Sequence, residues 1–149
     1  MKINFAGPLF SEAERDWIRS AIREIESFAA EHGTKLEIIF PYDLITHEEI
    51  DHLGPKPKLE IFSRCKFHLD DTDILIALLD RSQVDDGTAL ELGCFYAKKS
   101  PEQKIIGIRT DCRRAGESES AVVNSMIECS CDWVVRTKEE LMETISDLF

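Results

Sequence analysis

The stretch Asp85-Asp86-Gly87-Thr88-Ala89-Leu90-Glu91 places three carboxylates between an apolar run and a second, helix-periodic one. Carboxylates so arranged have a definite chemistry available. An ionised carboxylate can act as a nucleophile. Neighbouring carboxyl groups push their pKa values apart, so one keeps a proton while another stays charged. Cleavage of a glycosidic bond needs that division: a carboxylate at the anomeric carbon and an acid at the leaving group. A helix that begins near Gly87 has Glu91 in its first turns, where the helix dipole favours the ionised form. The plainer reading is structural. Thr88-x-x-Glu91 is a capping box, with Asp85 and Asp86 as solvated neighbours. Spacing alone leaves both open.

Other stretches carry weaker signals. In "FAGPLFSEAE", glycine after a strand lets backbone approach a ligand, and Phe10 can stack on a flat base. A tight turn with core aromatics explains the same residues. The phosphate-binding patterns G-x-G-x-x-G and G-x-x-x-x-G-K are absent. "HEEIDH" falls short of a zinc-protease motif, because His47 and His52 lie about 140° apart around a helix. His32 and His68 are isolated, so no metal is expected. No serine stands on a G-x-S-x-G elbow, and no Cys/His signature is present. "VVNSMIE" reads as a helix burying Val122, Val123, Met126 and Ile127 with Asn124 exposed.

These groups need elements to hold them. The 149 residues predict one domain spanning 1–149. "KINFAG" reads as a strand. Ser11 caps a helix, with Glu14 completing a capping box and Gly33 as its stop. "KLEIIFPYD" predicts a second strand, and "HEEIDHLGPKP" an irregular or partly helical insert broken by Gly54, Pro55 and Pro57. A helix over "LEIFSRCKFHLDD" leads to "DILIALLD", a continuous apolar run of the kind buried on both faces. "GTALELGCFYAKK" is helical, "KIIGIRTD" a strand, "SAVVNSMIECS" a helix, "DWVV" a strand and "KEELMETISDL" a helix. The alternation predicts an α/β fold: a single-domain, doubly wound, five-stranded parallel sheet of flavodoxin or Rossmann-like type. Ligands of such sheets bind at the carboxyl ends of the strands. That edge comprises Gly7 to Phe10, Pro41 to Asp43, Asp80 to Glu91, and Thr110-Asp111.

Composition narrows the partners. A net charge of −11 repels nucleic acid polymers and anionic membranes, and suits a small neutral or cationic ligand. The five cysteines, Cys65, Cys94, Cys112, Cys129 and Cys131, fit no disulfide framework and read as reduced thiols of a cytoplasmic protein. No leader and no run long enough to span a membrane are recognised.

Taken in order, "INFAGPLFSEAE", "DILIALLD" with "VDDGTALELGCFYA", "KIIGIRTDCRRAGE" and "VVNSMIE" resemble the nucleoside 2-deoxyribosyltransferase family over most of the chain. The resemblance implies that Glu91 is the nucleophile, attacking C1′ of a 2′-deoxynucleoside and holding the sugar as a covalent ester. A second base then takes up the sugar in a ping-pong exchange. It implies that Asp85 contacts the base and helps protonate it. Gly7, Pro8, Leu9 and Phe10 line the base pocket, and Asp43, Asp73, Asp86 and Gly87 contact substrate. Asn124 and Met126 are supplied by a neighbouring subunit to the sugar's 5′-hydroxyl, which makes the protein a homo-oligomer. The implied partners are 2′-deoxynucleosides and free nucleobases, with no cofactor. One departure stands out: many members carry a tyrosine on the first strand where this chain has Asn4, with Tyr42 and Tyr96 as candidate substitutes.

Two related chemistries compete. A 2′-deoxynucleoside 5′-monophosphate hydrolase of the same superfamily uses water as acceptor, but tends to have serine at the position of Asn124. Nucleotide phosphoribohydrolases share the GT-x-x-E core, but have a glycine pair where this chain has Asp85-Asp86. A non-enzymatic receiver-like domain shares the sheet order, but its acidic pair after the first strand is replaced by Ala6-Gly7-Pro8.

Overall fold

The computed structural model describes residues 1–52 and 56–149. Five strands form one sheet: β1 (Lys2–Ala6), β2 (Glu37–Ile39), β3 (Ile74–Leu78), β4 (Lys104–Ile108) and β5 (Trp133–Val135). All neighbours pair in parallel, in the order β2-β1-β3-β4-β5. This is the flavodoxin-like order, and its switch point lies between β1 and β3. The helices are α1 (Glu12–Glu31), α2 (His47–His52), α3 (Pro57–Asp70), α4 (Asp86–Tyr96), α5 (Ser125–Glu128) and α6 (Lys138–Ser146).

The continuous apolar run of β3 is explained by two cores. Ile74, Ile76 and Leu78 join Ile18 and Ile25 of α1 and Leu141 and Ile145 of α6 on one face. Leu75, Ala77 and Leu79 join Leu69, Leu92, Phe95 and Val123 on the other. Side-chain alternation along a strand produces that split, and helices on both faces make every residue of β3 buried.

Local chemistry sets the boundaries. Ser11 and Glu14 form the expected capping box on α1. Gly33 lies just past that helix at φ +67°, a left-handed conformation that suits glycine. Three expected segments come out shorter. β2 stops at Ile39, and Pro41–Asp43 form a 3-10 turn, because proline cannot donate to the ladder. β4 stops at Ile108, and the N–H groups of Thr110 and Asp111 donate to Asp80 Oδ1 instead, at 2.7 and 2.9 Å. The helix expected over 120–130 shrinks to Ser125–Glu128, because the N–H groups of Val122 and Val123 donate to the Glu128 carboxylate. The insert after β2 is partly helical, as α2. Pro57 opens α3 rather than breaking it, and Gly54 and Pro55 lie outside the described residues.

Candidate active site

Asp85, not Thr88, caps α4. Its Oδ2 accepts from Thr88 N at 3.1 Å and from Thr88 Oγ1 at 3.3 Å. Thr88 is therefore the third residue of the helix, and its N–H is already taken. The capping box of Thr88 with Glu91 does not form. Glu91 sits in the second turn, and no hydrogen bond or ion pair holds it among the described residues.

Glu91 lines a cavity of about 370 Å³ between α3 and α4, with Ile61, Phe62, Cys65, Gly87 and Leu90. Burial in this apolar wall, then the charge of Asp85, push its carboxyl up to about 7. The expectation that the helix dipole keeps Glu91 ionised is thus corrected: desolvation outweighs the dipole. Cys65 is likewise pushed up, first by burial and then by the charge of Glu91.

A second cavity of about 430 Å³ opens at the carboxyl ends of β1 and β2, lined by Leu9, Phe10, Tyr42 and Ile45. The two cavities share Ile61 and Cys65 of α3 as a common wall. Of the β1 loop, only Leu9 and Phe10 face this space, and Phe10 is 75% exposed. Gly7 and Pro8 are buried. A Cβ on Gly7 would lie 2.7 Å from Ile18 Cδ1, so this glycine serves the packing of α1 on the sheet.

The remaining expected residues scatter. Asp86 is exposed and accepts from Gly87 N at 2.8 Å. Asp43 pairs with Arg19 at 2.5 Å. Asp73 stands apart: it precedes β3, at the amino-terminal edge, where it accepts from Lys2 N at 2.7 Å. Parallel strands put that edge at the opposite end of the sheet from Phe10 and Asp85. Asn4 is fully buried, and neither end of its amide has a hydrogen-bond partner. Tyr42 lines the second cavity under the guanidinium of Arg15. Tyr96 ends α4 and is exposed, away from the site.

Asn124 caps α5, its Oδ1 accepting from Met126 N at 3.0 Å. Its Nδ2 donates to Glu117, whose carboxylate also accepts from Ser125 N at 2.9 Å and Ser125 Oγ at 2.8 Å. Met126 is 79% exposed, not buried as the helical spacing predicts. Both residues stand on the surface, and neither hydrogen-bonds Glu91 or Asp85.

Sequence reasoning misses Arg81. Its Nε and Nη2 grip the Glu14 carboxylate at 2.5 and 2.8 Å, holding that carboxyl at about 2. Its Nη1 lies 4.0 Å from Asp85 Oδ1, and its guanidinium sits 5.9 Å from the Phe10 ring centre. The backbone adopts φ +92°, unusual for a side-chain-bearing residue. Arg109, fully buried, holds this loop by donating to the carbonyls of Leu79, Arg81 and Arg113. A basic residue inside an acidic run was the one available signal for Arg81. Nothing in the sequence marks Arg109 as buried.

The sheet order and the carboxylates at its carboxyl edge define a flavodoxin-like α/β protein with an acidic carboxyl edge. The chain belongs to the nucleoside 2-deoxyribosyltransferase family, whose model matches residues 3–126, and is an enzyme of deoxyribosyltransferase type. It is 29% identical to the uncharacterized protein UU063 of Ureaplasma parvum, over 99% of this chain and 96% of that one. In structure it is similar to a conserved protein of Enterococcus faecalis V583, with a TM-score of 0.76, 23% identity, and 100% and 99% of the two chains covered. The 2-deoxyribosyltransferase of Bacillus psychrosaccharolyticus matches at a TM-score of 0.68 and 19% identity, over 95% of this chain and 90% of that one. The corresponding protein of Leishmania mexicana matches at 0.66 and 20%, over 98% and 97%. At these identities the structures show a shared fold.

Proposed function

We propose that this protein transfers a 2-deoxyribosyl group between nucleobases through a covalent ester on Glu91. One observation carries the reading: Glu91 is uncommitted, partly buried in an apolar cavity wall, and lies in the second turn of the helix that Asp85 caps. Its carboxylate attacks C1′. The C1′–N bond breaks, its electron pair moves to the base nitrogen, and Asp85 delivers the proton that the departing base needs. A second base reverses the step. The absent 2′-hydroxyl makes the oxocarbenium-like transition state easier to reach, and the carboxylate divides one substitution into two steps. Leu9 and Phe10 take the flat base. Asn124 and Met126 of a neighbouring copy meet the 5′-hydroxyl, so the working enzyme is a homo-oligomer. The reaction uses no cofactor. Salvage of deoxynucleosides in the cytoplasm fits the five free thiols.

Incubation with deoxyinosine and adenine tests the proposal. Formation of deoxyadenosine is the expected outcome. Release of hypoxanthine and deoxyribose alone would make the protein a hydrolase, and no reaction would refute both.

A further inference from the structure

We infer that Arg81 is a leaving-group residue: its Nη1 donates a hydrogen bond to the nucleobase that Asp85 protonates. The inference rests on the function proposed above. Three of its observations are independent of one another. The guanidinium is anchored along one edge only, since Nε and Nη2 are spent on Glu14 while Nη1 makes no hydrogen bond among the described residues. That free nitrogen faces Asp85 Oδ1 across 4.0 Å, too far for a direct hydrogen bond. Asp85 Oδ2 is spent on Thr88, so Oδ1 is the oxygen left to act. The result is a donor and a carboxyl oxygen side by side, next to Phe10, the aromatic on which a base would stack.

The backbone points the same way. Arg81 is held at φ +92°, and its carbonyl is fixed by the buried Arg109 at 3.0 Å. Strained residues persist where the surroundings over-determine them, commonly at functional sites. Here the side chain crosses the loop to Glu14, which clamps the guanidinium beside Phe10, a residue that lines the second cavity. In the reaction, Glu91 forms the bond to C1′ and the C1′–N electron pair passes to the base. The proton comes from Asp85. Arg81 keeps all its protons and stabilises the charge that builds on the base through a charge-assisted hydrogen bond.

Arg81→Gly isolates the side chain, because glycine adopts φ +92° without steric penalty and the Arg81 carbonyl remains for Arg109. A thermal melt establishes that the variant is folded. With natural deoxynucleosides kcat/KM should fall about 10- to 100-fold, the worth of a hydrogen bond to a charged group. The loss should shrink steadily as the base is replaced by leaving groups whose conjugate acids are stronger. An equal loss across all leaving groups would overturn the inference, leaving Arg81 a loop-shaping residue, and so would no loss. A loss confined to deoxynucleoside 5′-monophosphates would also overturn it, by placing a phosphate on Nη1. Titration of hypoxanthine into both proteins tests the contact without turnover: affinity should drop about tenfold in the variant, and equal affinity would contradict the contact. Failure of the unsubstituted protein to exchange bases would count against the proposed function instead.

Discussion

Glu91 works against two environments at once. Its carboxyl titrates near 7, because burial and the Asp85 charge oppose its ionisation. Attack on C1′ requires the charged form and departure of the base requires the proton on Asp85, so kcat/KM should fall on both sides of a maximum, with the acid limb set by Glu91 near 7. A flat profile from pH 5 to 8 would show that Glu91 is not the titrating nucleophile. The same shift acts on stability. A folded-state pKa above the ordinary 4.5 stabilises the protein below about 4.5, and that contribution is lost as pH rises through about 7. At pH 8 the lost stability is at most about 3 kcal/mol. Glu91→Gln should therefore abolish turnover and unfold at higher urea than the parent protein at pH 8. Asp85 separates in a similar way. Asn is as good an N-cap as Asp, so Asp85→Asn should keep α4 and lose activity, whereas Asp85→Ala should lose activity and about 1 kcal/mol of stability. Urea melts beside exchange assays distinguish the two. The sequence pointed to both carboxylates through their spacing and ordered neighbours. It misassigned the cap and the ionisation, since both depend on which groups the tertiary fold buries.

The elements bring Phe10, Arg81 and Asp85 together near the switch point of the sheet. β3 and its two-sided burial were readable, because an unbroken run from Ile74 to Leu78 fits few other environments. α5 was not readable. Val122 and Val123 have helical spacing, but the Glu128 carboxylate takes their N–H groups and Glu117 takes those of the Asn124 amide and Ser125. Such acid-to-backbone locks leave no periodic trace. Gly7 was readable as special but not for its reason. It belongs to the seam where Ile18 of α1 crosses β1 and β3. Gly7→Ala should cost about 1–3 kcal/mol by overpacking, measured by urea unfolding. An unchanged midpoint would show that α1 is free to shift.

At the scale of the whole molecule, the proposed site residues fall into two separate groups. Glu91 lines one of two cavities that share Ile61 and Cys65, while Asn124 and the exposed Met126 sit on the surface at α5 without bonding to Glu91. If a neighbouring copy supplies Asn124, two crippled variants should rescue each other. Glu91→Gln and Asn124→Ala, unfolded together and refolded as a mixture, should show more exchange activity than the sum of the two refolded alone. No gain over that sum would place Asn124 outside the shared site. The net charge of −11 argues that a neutral nucleoside is the better-suited substrate. The most direct measurement is of the intermediate itself. The protein is mixed with a 2′-deoxynucleoside without acceptor base, quenched in acid and mapped by peptide mass spectrometry. The peptide containing Glu91 should carry one deoxyribosyl group, which disappears when acceptor base is added before the quench. Rapid base release with no such adduct, or an adduct on any other residue, would contradict nucleophilic catalysis by Glu91.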